Sequence, residues 1–389
     1  MKNVLLLLLS TIVSLEAISF VGSQTGLLLF HDTPEFYWRH PARSGNAWRT
    51  QRDPWGAWHK PNATERHTSR CFDVVYQSNS FGARDSEFSR DKADQRLRYI
   101  LLGDSFAEGY GVQVEHTTQH HLEKMLGIDI YNFGVAGFAG PLNHYLLYKS
   151  LAGAFQHDGV ILYFLPANDF TDSDYELWKD FAPSWLRPYY RKGESGEFEI
   201  FYSPVAKPAD DYEFKTTAPT SINGLLTKYT WTSNLLRTIK FLAEDRLLHR
   251  NRLVVQELSY SGYFSATIEQ QEAAVYFIEK IVREARHRRV IIVIIPDQSD
   301  MKRIRAGESY ATQHWHQKLA SLGGRHANVD IIDLAEHMPS DYDRLFLSCD
   351  HHWNEAGHLL AANVIADRLR PPRASDENAN SNARRNTMR

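Results

Sequence analysis

From Leu97 onward the apolar residues recur in short unbroken runs: RYILLG, IDIYNFGV, GVILYFLP, RVIIVIIP and VDIIDL. A strand with one solvated face alternates apolar and polar positions, whereas Val, Ile and Leu on successive residues predict strands covered on both faces. Longer stretches between several of these runs have room for helices. One of them, IEQQEAAVYFIEKIVREARHR, shows helical spacing of its apolar positions and a basic end suited to the helix dipole. Strands alternating with helices pack best as a parallel sheet with helices on both sides, so the predicted class is α/β.

The same pattern divides the chain. Residues 1–22, MKNVLLLLLSTIVSLEAISFVG, form an apolar stretch behind a short basic start, which reads as a signal peptide or membrane anchor. Leu15 spoils the small-x-small cleavage pattern around Ala17, which favours a retained anchor over a cleaved signal, although Glu16 would be costly in hydrocarbon. The expected placement is therefore membrane-anchored and facing the periplasm or extracellular side, with a secreted or periplasmic soluble form as the alternative. Residues 23–96 are rich in Trp, Arg, His and Pro without sustained period and predict an extended region leading into the domain. The domain is expected over 97–370, with an insertion at 171–266 between the third and fourth strands and a disordered tail at 371–389.

Composition narrows the function classes. With 44 basic and 47 acidic residues the net charge is -3, so there is no electrostatic footprint for nucleic acid. Cys71 and Cys349 are too few for a disulfide framework or a thiolate zinc site and leave room for one bridge.

Four polar blocks interrupt the apolar pattern: GDSFAEGYG after the first strand, NFGVAGFAG at the second, PAND after the third, and DHHWNEAGH near the end. In a parallel α/β sheet the strand ends meet at one crevice, so groups distant in sequence can converge there. Together the blocks resemble the SGNH subgroup of the GDSL esterase and lipase superfamily over roughly residues 70 to 370. That resemblance implies a flavodoxin-like three-layer sandwich with a five-stranded parallel sheet, and chemistry on acyl esters without a cofactor or metal. It implies Ser105 as nucleophile, His352 as general base and Asp350 as its orienting acid. It also implies an oxyanion hole from the backbone amides of Ser105 and Gly137 and the side chain of Asn168. Asp350 lies two residues before His352 rather than three, which resembles the DxHW form of relatives associated with polysaccharide acylation. His351 offers a second register for the base. A zinc reading would draw on Asp350, His351, His352, His358 and Asp104, but their spacing lacks a strong metal signature.

The leading expectation is an exported serine ester hydrolase acting on an O-acyl, chiefly O-acetyl, ester of a glycan. A polysaccharide O-acetyltransferase using the same residues is the alternative, and a noncatalytic envelope glycan-binding protein stands beside it. Trp178, Trp185, Tyr189 and Tyr190 in the insertion are candidate sugar-stacking residues that could equally form an inserted core.

Overall fold

The computed structural model describes residues 2–24, 49–52, 54–68, 71–92, 94–137, 139–179, 185–206, 226, 229–236, 239, 260–348 and 350–370. The chain divides into two units, Met1–Ala47 with Asp211–Ser259, and Trp48–Asp210 with Tyr260–Arg389. The tail at 371–389, most of the Trp-rich stretch before residue 49 and the greater part of the insertion beyond residue 206 lie outside the described residues.

The first unit holds helix α1 (Lys2–Gln24). Among the described residues no helix is long and apolar enough to cross a membrane. This overturns the anchor expected at 1–22 and the membrane-anchored placement built on it. The physical reason lies in the polar positions. Lys2, Ser10, Thr11, Ser14, Glu16 and Ser19 interrupt the leucines. Glu16 takes protein partners, accepting from the backbone N–H groups of Trp231 at 2.6 Å and Thr232 at 3.0 Å and from the Thr232 hydroxyl at 2.8 Å. Phe20 meets the Trp231 ring edge-on at 5.8 Å.

The second unit is built on five strands, β1 (Arg98–Gly103), β2 (Asp129–Gly134), β3 (Gly159–Phe164), β4 (Arg289–Ile294) and β5 (Val329–Asp333). They form one parallel sheet in the order β5-β4-β3-β1-β2. β1 and β3 are buried at every position, as their unbroken apolar runs require. The chain turns from one side of β1 to the other between β2 and β3. A crevice therefore opens at the carboxyl ends of β1 and β3, where a doubly wound sheet places its ligands.

Helices cover both faces. The helix Thr118–Leu126 packs with Glu355–Leu369, and Ile268–Ala285 packs with Pro141–Ser150 and His314–Arg325. The helix expected in 268–288 runs over Ile268–Ala285, opens with a capping box between Thr267 and Gln270 and buries Phe277, Ile278 and Ile281. The long insertion lies between β3 and β4 and contains an antiparallel hairpin, Pro188–Lys192 with Phe198–Tyr202. Ahead of β1, the region read as extended contains two more hairpins, Arg49–Arg52 with Gly56–His59 and Thr64–Thr68 with Asp73–Gln77.

Candidate active site

Directly after β1, Asp104 accepts from Phe106 N–H at 3.0 Å and so caps a one-turn helix α2 (Ser105–Glu108). Ser105 is its first residue, with its backbone N–H at the unpaired amino end of the helix. The turn is held from outside by Arg84, a buried cation whose Nη1 donates to the carbonyls of Glu108 at 2.9 Å and Gly109 at 2.6 Å. Its Nη2 donates to Val112 O at 2.7 Å. The guanidinium lies 4.1 Å from the centre of the Tyr76 ring, and the Tyr76 hydroxyl accepts from Gly111 N–H at 2.9 Å.

His352 reaches this turn from a loop 247 residues further on, placing Nε2 2.7 Å from Ser105 Oγ. Its Nδ1 lies 2.5 Å from Asp350 Oδ1, and the same oxygen accepts the backbone N–H of His352 at 3.1 Å. One carboxylate oxygen thus serves the main chain and the ring of the residue two places on. This Asx-type turn is what the two-residue spacing makes possible. With the carboxylate on Nδ1, that nitrogen carries the proton, and the Nε2 lone pair faces the serine hydroxyl. Burial alone would raise the Asp350 pKa, but the hydrogen bond from His352 and the charges of both histidines outweigh it and hold the carboxyl below its ordinary value.

The residues after His352 lock the loop. Trp353 is fully buried and meets Phe106 of α2 edge-on at 4.9 Å. Asn354 caps the helix Glu355–Leu369 by accepting from Ala356 and Gly357 N–H, while its amide donates to the carbonyls of Arg344 and Phe346. Tyr110 lays its ring 4.3 Å from that of His352.

The remaining two blocks arrive at the neighbouring strand ends. Gly137, in the loop after β2, has a φ of +106°, a conformation that a side chain would strain. Asn168 lies on the turn Pro166–Asp169 after β3, and its side chain lowers the pKa of the nearby Asp104 carboxyl against the larger rise from burial. That turn is pressed from above: a Cβ on Gly262 would sit 2.0 Å from the Pro166 carbonyl carbon and 2.2 Å from Ala167 N. Beneath it lie three buried carboxyls. Burial pushes Asp104 up to about 6 and Asp172 up to about 7, and Asp169, also burdened by both neighbours' charges, well above the ordinary carboxylate range. Asp104 caps the turn through Phe106 N–H, whereas Asp350 is the carboxylate that meets the His352 ring.

Of the other predicted residues, Tyr189 and Tyr190 are buried in the inserted hairpin, against Tyr175 and Phe201 and against Phe198 respectively. Trp178 donates from Nε1 to Thr171 O and carries the Arg187 guanidinium 4.3 Å from its ring centre; Trp185 is half-buried. The ligand-capable atoms of Asp350, His351 and His352 lie within 4.8 Å of one another. An ion there would have to take ring nitrogens that already bridge Ser105 and Asp350, so the set does not fit a metal. His358 is buried under Trp353 with Nδ1 against Thr118. Cys71 is disulfide-bonded, and the chain has one other cysteine, Cys349.

Residues 264–388 match the family described as SGNH hydrolase-like domain, acetyltransferase AlgX. Among solved structures, the chain is similar to the lipase/acylhydrolase of Enterococcus faecalis, at 13% identity over 72% of this chain and 100% of that one, with a TM-score of 0.37. It is similar to a carbohydrate esterase family 2 enzyme with a carbohydrate-binding domain from Corynascus thermopiles, at 15% identity over 72% and 68% of the two chains and a TM-score of 0.36. It is also similar to the salicylyl-acyltransferase SsfX3 of a tetracycline biosynthetic pathway, at 14% identity over 72% and 55% and a TM-score of 0.34. Likenesses this distant leave the chemistry to be argued from the chain itself. No curated protein matches the chain significantly. The domain match spans the strands and loop that bring Asp350 and His352 to the crevice, and β1 of the same sheet brings Ser105 to meet them. Over residues 264–388 the chain is thus similar to an SGNH hydrolase-like domain, on the same sheet that brings Ser105 and His352 together.

Proposed function

We propose that this chain is a serine-dependent O-acyltransferase that carries an acyl group, acetyl in the simplest case, from a donor ester to a carbohydrate hydroxyl. The observation that supports transfer is the match of residues 264–388 to a domain described as that of an acetyltransferase. Ser105 Oγ attacks the acyl carbon while its proton passes to Nε2 of His352, and Asp350 stabilises the imidazolium through Nδ1–H. Negative charge on the carbonyl oxygen is met by the backbone N–H groups of Ser105 and Gly137 and by the Asn168 amide; losing one such donor costs about 3 kcal/mol. His352 returns the proton to the leaving group as the carbon–oxygen bond to the donor breaks, which leaves acyl-Ser105. A sugar hydroxyl then gives its proton to His352, attacks the acyl carbon and releases Ser105.

The test supplies p-nitrophenyl acetate as donor with and without an oligosaccharide acceptor, and follows the protein and the sugar by mass spectrometry. The expected result is an acetyl adduct on Ser105, absent from Ser105→Ala, and acetylated sugar formed only with acceptor present. Acetate release that ignores the acceptor, with no acetyl-sugar, would overturn transfer in favour of hydrolysis. A folded protein that takes neither acetyl nor a fluorophosphonate at Ser105 would remove the serine mechanism altogether.

A further inference from the structure

Among the described residues, His59 and Glu108 form a buried pair that the mechanism does not use. Glu108 closes α2 three residues after Ser105 and is 1% exposed; His59 ends the hairpin strand Gly56–His59 ahead of the α/β domain and is 0% exposed. Glu108 Oε2 accepts the backbone N–H of Ala136, the residue before Gly137, and lies 3.0 Å from His59 Nε2. The other ring nitrogen, Nδ1, lies 2.8 Å from the carbonyl oxygen of Gly82. A carbonyl has no proton to give, so Nδ1 is the donor to Gly82, and Nε2 and Oε2 meet in a second hydrogen bond. A buried carboxylate is tolerated in such a place only with a partner of this kind. His59 is itself fixed, because the Trp58 ring stacks on it at 5.2 Å and on Phe133 of β2 at 6.0 Å, and Trp58 Nε1 donates to Phe81 O at 2.9 Å.

We infer that His59 and Glu108 form a positioning pair that ties the Ala136–Gly137 turn to the helix carrying Ser105. The two backbone donors of the oxyanion hole are thereby set as one unit, and the hairpin ahead of the domain is part of the active site. Removing the His59 proton donor lets Glu108 turn from Ala136, and Gly137 loses its alignment with Ser105 although neither residue has changed. The kinetic part of this inference rests on acylation at Ser105; the coupling of His59 to Ala136 does not.

Two measurements on the full chain test it. In protein labelled with 15N at alanine, the Ala136 amide resonance is expected downfield, as for an N–H on a carboxylate. It should move upfield in both Glu108→Gln and His59→Asn, with His59→Gln as a second variant if the first fails to fold. An Ala136 resonance unmoved by both His59 substitutions would overturn the coupling whether or not Ser105 is acylated. In acylation by p-nitrophenyl acetate, each variant should lose roughly 10- to 100-fold in kcat with KM unchanged, as expected of a displaced catalytic donor. Affinity for phenylboronic acid, a tetrahedral mimic, should fall by the same factor, and the double variant should lose no more than the worse single one. Additive losses, or losses carried by KM, would overturn the positioning role. A wild-type chain never acylated at Ser105 would overturn the proposed function instead, and the Ala136 resonance would still decide this inference.

Discussion

The turn that carries Ser105 and the loop that carries His352 meet at 2.7 Å but are held by opposite means. The serine turn is fastened from a distance: Arg84, Tyr76 and His59 come from ahead of the domain and grip its carbonyls, an amide and the Glu108 side chain. The histidine loop is fastened mostly by itself. Asp350 folds onto the residue two places on, and Asn354 ties the carbonyls of Arg344 and Phe346 to the helix it caps. In the proposed mechanism the nucleophile must stand still while charge builds beside it, and a buried surround gives that. The base of that mechanism must exchange protons, and a locally built loop with Asp350 partly exposed leaves it room to do so.

Breaking the distant grip should cost the most. Arg84→Leu removes the side-chain donor shared by the carbonyls of Glu108, Gly109 and Val112, and an expected loss of about 3 kcal/mol should appear as a lower urea midpoint together with slower fluorophosphonate labelling of Ser105. An unchanged midpoint would mean that the turn stands without its clamp.

His358 sharpens the comparison because it joins the two sides. It lies on the helix after the histidine loop and receives Thr118 N–H at 3.3 Å, at the start of the helix that follows the serine turn. Burial lowers its pKa from 6.5 to about 3, so below 6.5 the unfolded chain binds a proton that the fold refuses. The contribution of this residue is therefore intact above 6.5 and is lost as the pH falls. His358→Asn should remove about 2 kcal/mol of the stability difference between pH 7 and pH 5, as measured by denaturant titration at the two values. An unaltered pH slope would show that His358 titrates normally in the fold.

Breaking the local grip should cost least. Asn354→Ala removes a helix cap, for about 1 kcal/mol of stability. It should also loosen His352 more than Ser105, read as slower acylation by p-nitrophenyl acetate with the melting temperature only slightly lowered. Equal damage to stability and activity would erase the distinction between the two regions.

The same contrast explains what the sequence made legible. β1 covers the run RYILLG residue for residue, because a fully buried strand writes its burial into consecutive positions. Ser105 and Asn168 stood out as polar residues at the ends of such runs, and His352 and Asp350 in the block DHHWNEAGH. Glu108, His59 and Arg84 gave no comparable signal. Glu108 reads as an ordinary helix acid, and its partner His59 is 49 residues away in a stretch without period. Arg84 reads as a surface cation until the fold buries it against main-chain carbonyls. The aromatics of the insertion were legible as aromatics only; which of them the hairpin core would take, Tyr189 and Tyr190 among them, depends on pairing that no local pattern encodes. The apolar run of residues 1–22 misled in the other direction, since total hydrophobicity says nothing of Glu16 finding amides in Trp231 and Thr232.

The sheet order also sets a timetable. Ser105 is made 247 residues before His352, and the strand that delivers the histidine loop, β5, is the last of the five. At roughly 5–20 residues per second on the ribosome, the serine waits some tens of seconds without a base to activate it. Under the proposed mechanism the growing chain therefore carries a chemically quiet hydroxyl, and reactivity begins only with the docking of the last strand and its loop.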